Sequence, residues 1–305
     1  MARAHYISIT CKSAVYRVKG MPFRWSLNPY RGCVHACQYC YARETHSYLG
    51  LNAGKDFETS IFYKSNIAAA LERELHAPSW PRESIAIGTA TDAYQPGEGW
   101  LKITRACIEV LARARNPISI VTKSTLIKRD LDLLSQLARC VDVRVYFSIT
   151  TLDDLQWRQL EPGTPPPAKR LQVLSSLSEV GITTGVLMAP VIPGLTDTST
   201  AIDSVARAAA EHGATTFSAQ PLRLAPLVKN HFMNFLAADY PELFPWYATN
   251  FRADQAPNDW RDTISGLSRE ACDHFGLNSR TQTPPSPDLA PALAPRIEST
   301  QLQLF

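Results

Sequence analysis

Three cysteines, Cys33, Cys37 and Cys40, fall within eight residues as C-x3-C-x2-C. Three thiolates on one short loop, with no fourth beside them, suit a cubane iron–sulfur cluster with three protein-bound irons. The fourth iron is then open to a substrate or cosubstrate, so the spacing points to chemistry rather than to a structural staple. Zinc is the plainer alternative. Structural zinc takes paired C-x2-C knuckles and a fourth Cys or His at matching spacing. Here the first spacing is three residues, and Cys11, Cys107, Cys140 and Cys272 form no second pair. His35 or His46 could complete a tetrahedron, but His35 lies inside the loop, where reaching the same metal would be strained.

Around this loop the chain of 305 residues, 45% hydrophobic, can bury a barrel-sized core or two smaller ones. No run of about 18 apolar residues exists, so no membrane span is expected. Met1–Tyr6 lacks an apolar signal core, and seven cysteines with three clustered argue against a disulfide framework. Both features predict a cytoplasmic protein. A net charge of +3 neither demands nor excludes a nucleic-acid partner.

β-Branched runs alternate with amphipathic stretches from residue 20 to 240. Strands are expected at Arg24–Tyr30, Ser84–Thr91, Pro117–Lys123, Asp142–Ile149, Ile182–Ala189 and Thr215–Gln220. Helices are expected at Asn66–His76, Glu98–Ala114, Arg129–Leu137, Ala168–Val180, Thr198–Glu211 and Leu227–Ala238. Such alternation predicts an α/β fold with a parallel sheet and right-handed crossovers. Six units without a dinucleotide-type G-x-G-x-x-G favour a partial TIM-like barrel, with an open flavodoxin-type sheet as the alternative. The expected organisation is an N-terminal segment (1–22), a core (23–240), a small helical extension (241–280) and a tail (281–305). Pro284, Pro285, Pro287, Pro291 and Pro295 crowd that tail, which should be flexible.

Active sites of parallel barrels form at the C-terminal strand ends. The cysteine loop follows the first expected strand, Thr91 and Asp92 the second, and Lys123 the third, with Ser148 closing the fourth. Lys123, after the apolar run Ile118–Val121, suits an anionic ligand, or else snorkels to solvent. Thr91 and Ser148 offer hydroxyls, or else cap the helices that follow. Leu160–Pro167 reads as a rigid connector over the barrel mouth.

The segments NPYRGCVHACQYCYAR, TDAYQP, VTKS, LEPGTPPPAKRL and APVIPGLTD, spread over about residues 20 to 240, resemble the radical S-adenosylmethionine (SAM) superfamily. Within it they are similar to the branch that contains spore photoproduct lyase. The resemblance implies an open six-stranded (β/α)6 barrel and a 4Fe–4S cluster on Cys33, Cys37 and Cys40. It implies reductive cleavage of SAM to methionine and a 5′-deoxyadenosyl radical that abstracts hydrogen from a substrate. It further implies SAM contacts at Thr91, Lys123 and Ser148, with Asp92 able to accept from the SAM ammonium. Tyr39 and Tyr41 match two tyrosines flanking the third cluster cysteine in that lyase, whereas Thr89 stands where the lyase carries its hydrogen-donating thiol. A DNA lesion or other nucleotide-type substrate is the implied target, and a flavodoxin or ferredoxin the implied reductant. The alternative of another class is a regulatory or interaction module that binds an iron–sulfur cluster or zinc without turnover.

The last five residues, Gln301–Phe305, read QLQLF. They resemble the Q-L-x-L-F peptide by which bacterial proteins dock on the replication sliding clamp, with Leu302, Leu304 and Phe305 as apolar anchors.

Overall fold

The computed structural model describes residues 4–251 and 254–279. Its strands are β1 (His5–Ile9), β2 (Val15–Arg17), β3 (Trp25–Leu27), β4 (Tyr30–Arg31), β5 (Ser60–Lys64), β6 (Ile85–Ile87), β7 (Ile118–Thr122), β8 (Val143–Ser148), β9 (Thr183–Val191), β10 (Thr216–Pro221) and β11 (Asn278–Ser279). Eight of them form one sheet in the order β11-β10-β9-β8-β7-β6-β3-β2. From β3 to β10 the six neighbours run parallel and follow chain order, as a wound (β/α)6 half-barrel requires. β2 pairs antiparallel with β3 at one edge, and the two edges do not meet, so the barrel stays open.

All six expected strands are present: the first four are shorter at both ends, β9 starts one residue later and runs two residues further, and β10 is shifted by one residue. Their composition explains their place: β6 is buried throughout, and Ile118, Ile120, Val143, Val145 and Phe147 of the next two strands are at most 3% exposed. Strands covered on both faces read as near-continuous apolar runs. The crossover helices bury one stripe each. In α2 (Ile67–His76) that stripe is Ile67, Ala70, Leu71 and Leu75, a spacing of three and four.

Two expectations are corrected by the structure. The helix expected over Glu98–Ala114 is two helices, α3 (Glu98–Leu101) and α4 (Ile103–Ala114), broken at Lys102 with φ +53°. The cause is Glu98, fully buried, whose carboxylate accepts from the backbone nitrogens of Thr104 at 2.9 Å and Arg105 at 3.2 Å. It therefore caps the second helix in place of a continuing backbone ladder. Likewise, the first expected strand divides at Pro29, which has no N–H to continue the ladder. Its second half, β4, leaves the main sheet for a three-stranded one of order β1-β5-β4.

The remaining helices are α5 (Leu131–Ala138), α6 (Asp154–Leu160), α7 (Pro167–Ser178), α8 (Ser199–Glu211), α9 (Pro226–Asp239), α10 (Phe244–Asn250) and α11 (Asn258–Phe275), with α1 (Lys55–Thr59) beside the cysteine loop. Helix α11 packs on β10 and α8, and its Ile264, Ala271 and Cys272 join the main core. A second apolar cluster gathers Phe232, Phe235 and Leu236 of α9 with Tyr247 of α10 around Cys37 and Tyr39. The cysteine loop is thus anchored on the C-terminal helices. No helix among the described residues is long and apolar enough to cross a membrane. The tail from 281, with Gln301–Phe305, lies outside the described residues.

Candidate functional site

The cysteine loop is held by backbone contacts on every side. Gly32 turns the chain with φ +79°, and a Cβ there would sit 2.9 Å from the Phe57 carbonyl oxygen, which accepts from the Cys33 nitrogen at 3.0 Å. Arg43, fully buried, donates from Nε to the Cys37 carbonyl at 2.9 Å and from Nη1 to those of Ala53 and Gly54. Its remaining nitrogen meets Glu58. Gln38 adds a side-chain contact, its Oε1 lying 2.9 Å from His231 Nε2 of α9.

Cys33 and Cys37 are buried and Cys40 half-buried. Burial pushes the Cys37 thiol up to about 12, against the pull of Lys123, and pushes Cys33 well above its usual range. A thiolate here therefore needs positive charge at the sulfur itself, of the kind a bound metal would supply. Among the described residues no three His, Cys, Asp or Glu side chains gather closely enough to hold a single metal ion. The fit to a cluster comes from the donor set: three thiols on one loop at the mouth of the sheet.

Beside the loop stand the strand-end residues. Lys123 is turned inward: its Nζ donates to Ser148 Oγ at 2.7 Å, lies 5.5 Å from the centre of the Tyr39 ring, and is 3.9 Å from Glu161 Oε1. It does not snorkel. Nor do Thr91 and Ser148 cap helices. The Thr91 hydroxyl donates to the Gly32 carbonyl at 2.7 Å, tying β6's end to the cysteine loop, and Ser148 donates to the Ala189 carbonyl at 3.2 Å. Asp92 accepts from Tyr94 N, Thr122 Oγ1 and Lys123 N at 2.7–2.8 Å, and faces His35 Nδ1 at 3.3 Å. Burial alone would raise its carboxyl, but His35 and these hydrogen bonds hold it at about 2.

A buried ion pair that sequence reasoning missed completes the site. Glu161 (2% exposed) accepts from Arg170 (0% exposed) on Oε2 and from the Tyr39 hydroxyl on Oε1. Arg170 also donates to the carbonyls of Ser148 at 2.8 Å and Pro165 at 2.9 Å, and to Thr164 Oγ1. Burial raises the Glu161 carboxyl, and Arg170, Lys123 and Tyr39 together outweigh it, to about 2. Both residues lie in the LEPGTPPPAKRL segment, a proline-rich run with a charged residue at each end, but nothing in it shows that they pair. That run clamps the cysteine loop: Gly163 N donates to the His35 carbonyl and Gln38 N to that of Leu160, both at 3.0 Å.

Tyr41 differs from Tyr39. It is 55% exposed, and its hydroxyl donates to the backbone carbonyl of Thr89. The Thr89 hydroxyl lies 2.6 Å from Ser26 Oγ, with Asn28 Nδ2 bridging both. Cys107 is buried in α4 and Cys140 is exposed.

With this arrangement in view, comparison with known proteins is direct. The family model described as the radical SAM superfamily matches residues 27–203. An uncharacterised protein of Mycobacterium tuberculosis is 40% identical over 260 residues, 84% of this chain and 76% of that protein. Another, of Methanocaldococcus jannaschii, is 30% identical over 196 residues, 64% of this chain and 71% of its own length. The chain belongs to the radical SAM superfamily. Its fold is shared with spore photoproduct lyase complexed with dinucleoside spore photoproduct, at a TM-score of 0.67 and 15% identity over 90% of this chain and 80% of that one.

Two predictions follow from the packing. A Cβ on Gly163 would overlap the Val34 carbonyl oxygen, so Gly163→Ala must lift the 160–164 clamp off the cysteine loop. The expected cost is about 1–3 kcal/mol by denaturant titration, with reduced iron uptake. Asp92 and Glu161 both fall to about 2 from ordinary values of 3.8 and 4.5. Depressed carboxylates add stability that is complete above the unfolded-state values and is lost as pH falls toward the folded-state values. Unfolding free energy should therefore decline between about pH 4.5 and about pH 2, with a shallower decline in Glu161→Gln.

Proposed function

We propose that the protein is a radical SAM enzyme, with a 4Fe–4S cluster on Cys33, Cys37 and Cys40 and SAM seated at the strand ends beside it. The observation that carries this reading is the placement of one loop bearing three cysteines beside Lys123 and Ser148 at the ends of parallel strands. When bound and reduced, the cluster supplies the electron that splits SAM into methionine and a 5′-deoxyadenosyl radical able to take hydrogen from a substrate.

The chain's own residues bind and orient. Lys123 pairs with the SAM carboxylate, and Thr91 and Ser148 offer oxygens to the cosubstrate. Asp92 fixes the Lys123 main chain and stands where it could also accept from the SAM ammonium. Tyr39 walls the pocket, and the apolar strand cores exclude water and stray hydrogen donors. Thr89 offers an aliphatic hydroxyl, a poor hydrogen-atom donor, so Tyr41 is the oxidisable group at that strand end. This argues for a nucleotide-type or DNA-lesion substrate other than the spore photoproduct. A one-electron carrier of the flavodoxin or ferredoxin type, in the cytoplasm, completes the system.

Anaerobic reconstitution tests the reading. Brown protein with about four irons per chain is expected, lost on replacing any of the three cysteines by alanine. Lys123→Ala should keep the cluster's optical spectrum and weaken SAM binding by about 1.5–3 kcal/mol. Stoichiometric zinc without iron uptake would sink the proposal.

The sequence of the tail supports DNA as the setting. Gln301–Phe305 is proposed to dock on the sliding clamp, with Gln301 as the polar anchor and the apolar residues in its groove. In a titration with purified clamp, intact protein should bind and a version lacking these five residues should not. Equal or absent binding by both removes the docking role.

A further inference from the structure

Three charged side chains crowd the Cys37 side of the loop, and they are not equivalent. Arg170 is fully committed: its guanidinium is closed by Glu161, Thr164 and the carbonyls of Ser148 and Pro165. Lys123 is only loosely matched, with one hydroxyl at 2.7 Å and the nearest carboxylate oxygen at 3.9 Å. Glu161 is the anion of the group, and its place beside the loop is fixed three ways. The Tyr39 hydroxyl, between Cys37 and Cys40 in the chain, donates to it. The neighbouring Leu160 carbonyl accepts from Gln38 N at 3.0 Å, and Leu160 packs with Cys37 and Tyr39 in one apolar cluster. A carboxylate 2% exposed is shut off from bulk water, so solvent screens its action on a nearby charge only weakly.

We infer that the opposed charges of Glu161 and Lys123 set the reduction potential of the cluster, Glu161 holding it down and Lys123 drawing it up. The inference rests on the cluster reading above. Adding one electron from a flavodoxin- or ferredoxin-type carrier makes the cluster more negative by one charge. A buried carboxylate beside a ligand disfavours that state, and a half-buried ammonium favours it. Net local charge is a recognised lever on such potentials. A low potential is what sulfonium cleavage demands of its electron donor. The Arg170 pair explains how an ionised carboxylate persists there: a buried anion without a cation would take up a proton and lose its effect.

The experiment is an optically monitored redox titration of the reconstituted, full-length protein without SAM. Glu161→Gln should move the midpoint to more positive potential, Lys123→Gln to more negative potential, and Glu161→Asp should stay near the wild type. Opposite shifts separate charge from loosened packing, because extra water around the cluster would move both variants the same way. Shifts of the same sign, or none, overturn the inference. If Glu161→Gln takes up no iron, Glu161→Asp and Lys123→Gln decide. A midpoint near wild type in the first with a negative shift in the second upholds it, and any other pair of results rejects it. Absence of iron from the wild-type protein would reject the cluster reading, a separate failure read from the metal analysis alone.

Discussion

Burying two of the three thiols of one short loop is the constraint on which the rest of this structure depends. A buried thiol resists ionisation, and a loop of this kind leaves many backbone groups away from water. The chain meets the second requirement with side chains and loops drawn from four directions. Arg43 takes three carbonyls around the loop, Phe57 accepts from Cys33, Thr91 caps the Gly32 carbonyl, and the Leu160–Thr164 segment lies along His35 and Gln38. The small sheet of β1, β5 and β4 serves the same end, since β4 delivers the chain directly into Gly32.

The charges show how the fold keeps such a site ionised without losing stability. Arg43 with Glu58, Arg170 with Glu161, and Asp92 with His35 are each arranged as a partnered group around the loop. Removing one member of a buried pair costs about 3–5 kcal/mol, far more than the pair itself contributes. Lys123 is the exception, with one short hydrogen bond and no carboxylate oxygen nearer than 3.9 Å. An ammonium with one short hydrogen bond keeps most of its capacity for an incoming carboxylate, while Asp92 fixes its main chain at 2.7 Å.

Much of this was legible in the residues. The six parallel strands carry β-branched runs, and their helices carry a spacing of three and four, so periodicity located them. What periodicity could not show was the small sheet: β1 has only two of its five residues even partly buried, and β4 has two residues in all. The break at Lys102 escaped because it depends on a buried Glu98 carboxylate, a tertiary fact. The strand-end residues Lys123, Ser148 and Asp92 were visible as polar groups after apolar runs. Glu161 and Arg170 were not, because charged side chains are seldom fully buried and a proline-rich run reads first as a connector. Their pairing is decided by contacts with Tyr39 and Ser148, far away in the chain.

The two tyrosines that bracket Cys40 end on opposite sides of this design. Tyr39 is 5% exposed and locked between Lys123 and Glu161, so its phenol belongs to the buried charge network beside the cysteine loop. Tyr41 is exposed and reaches the Thr89 backbone, next to the hydroxyls of Ser26 and Thr89. The chain turns into a 3-10 helix at Tyr41, and this turn sends two tyrosines separated by a single cysteine to a buried charge network and to an exposed strand end.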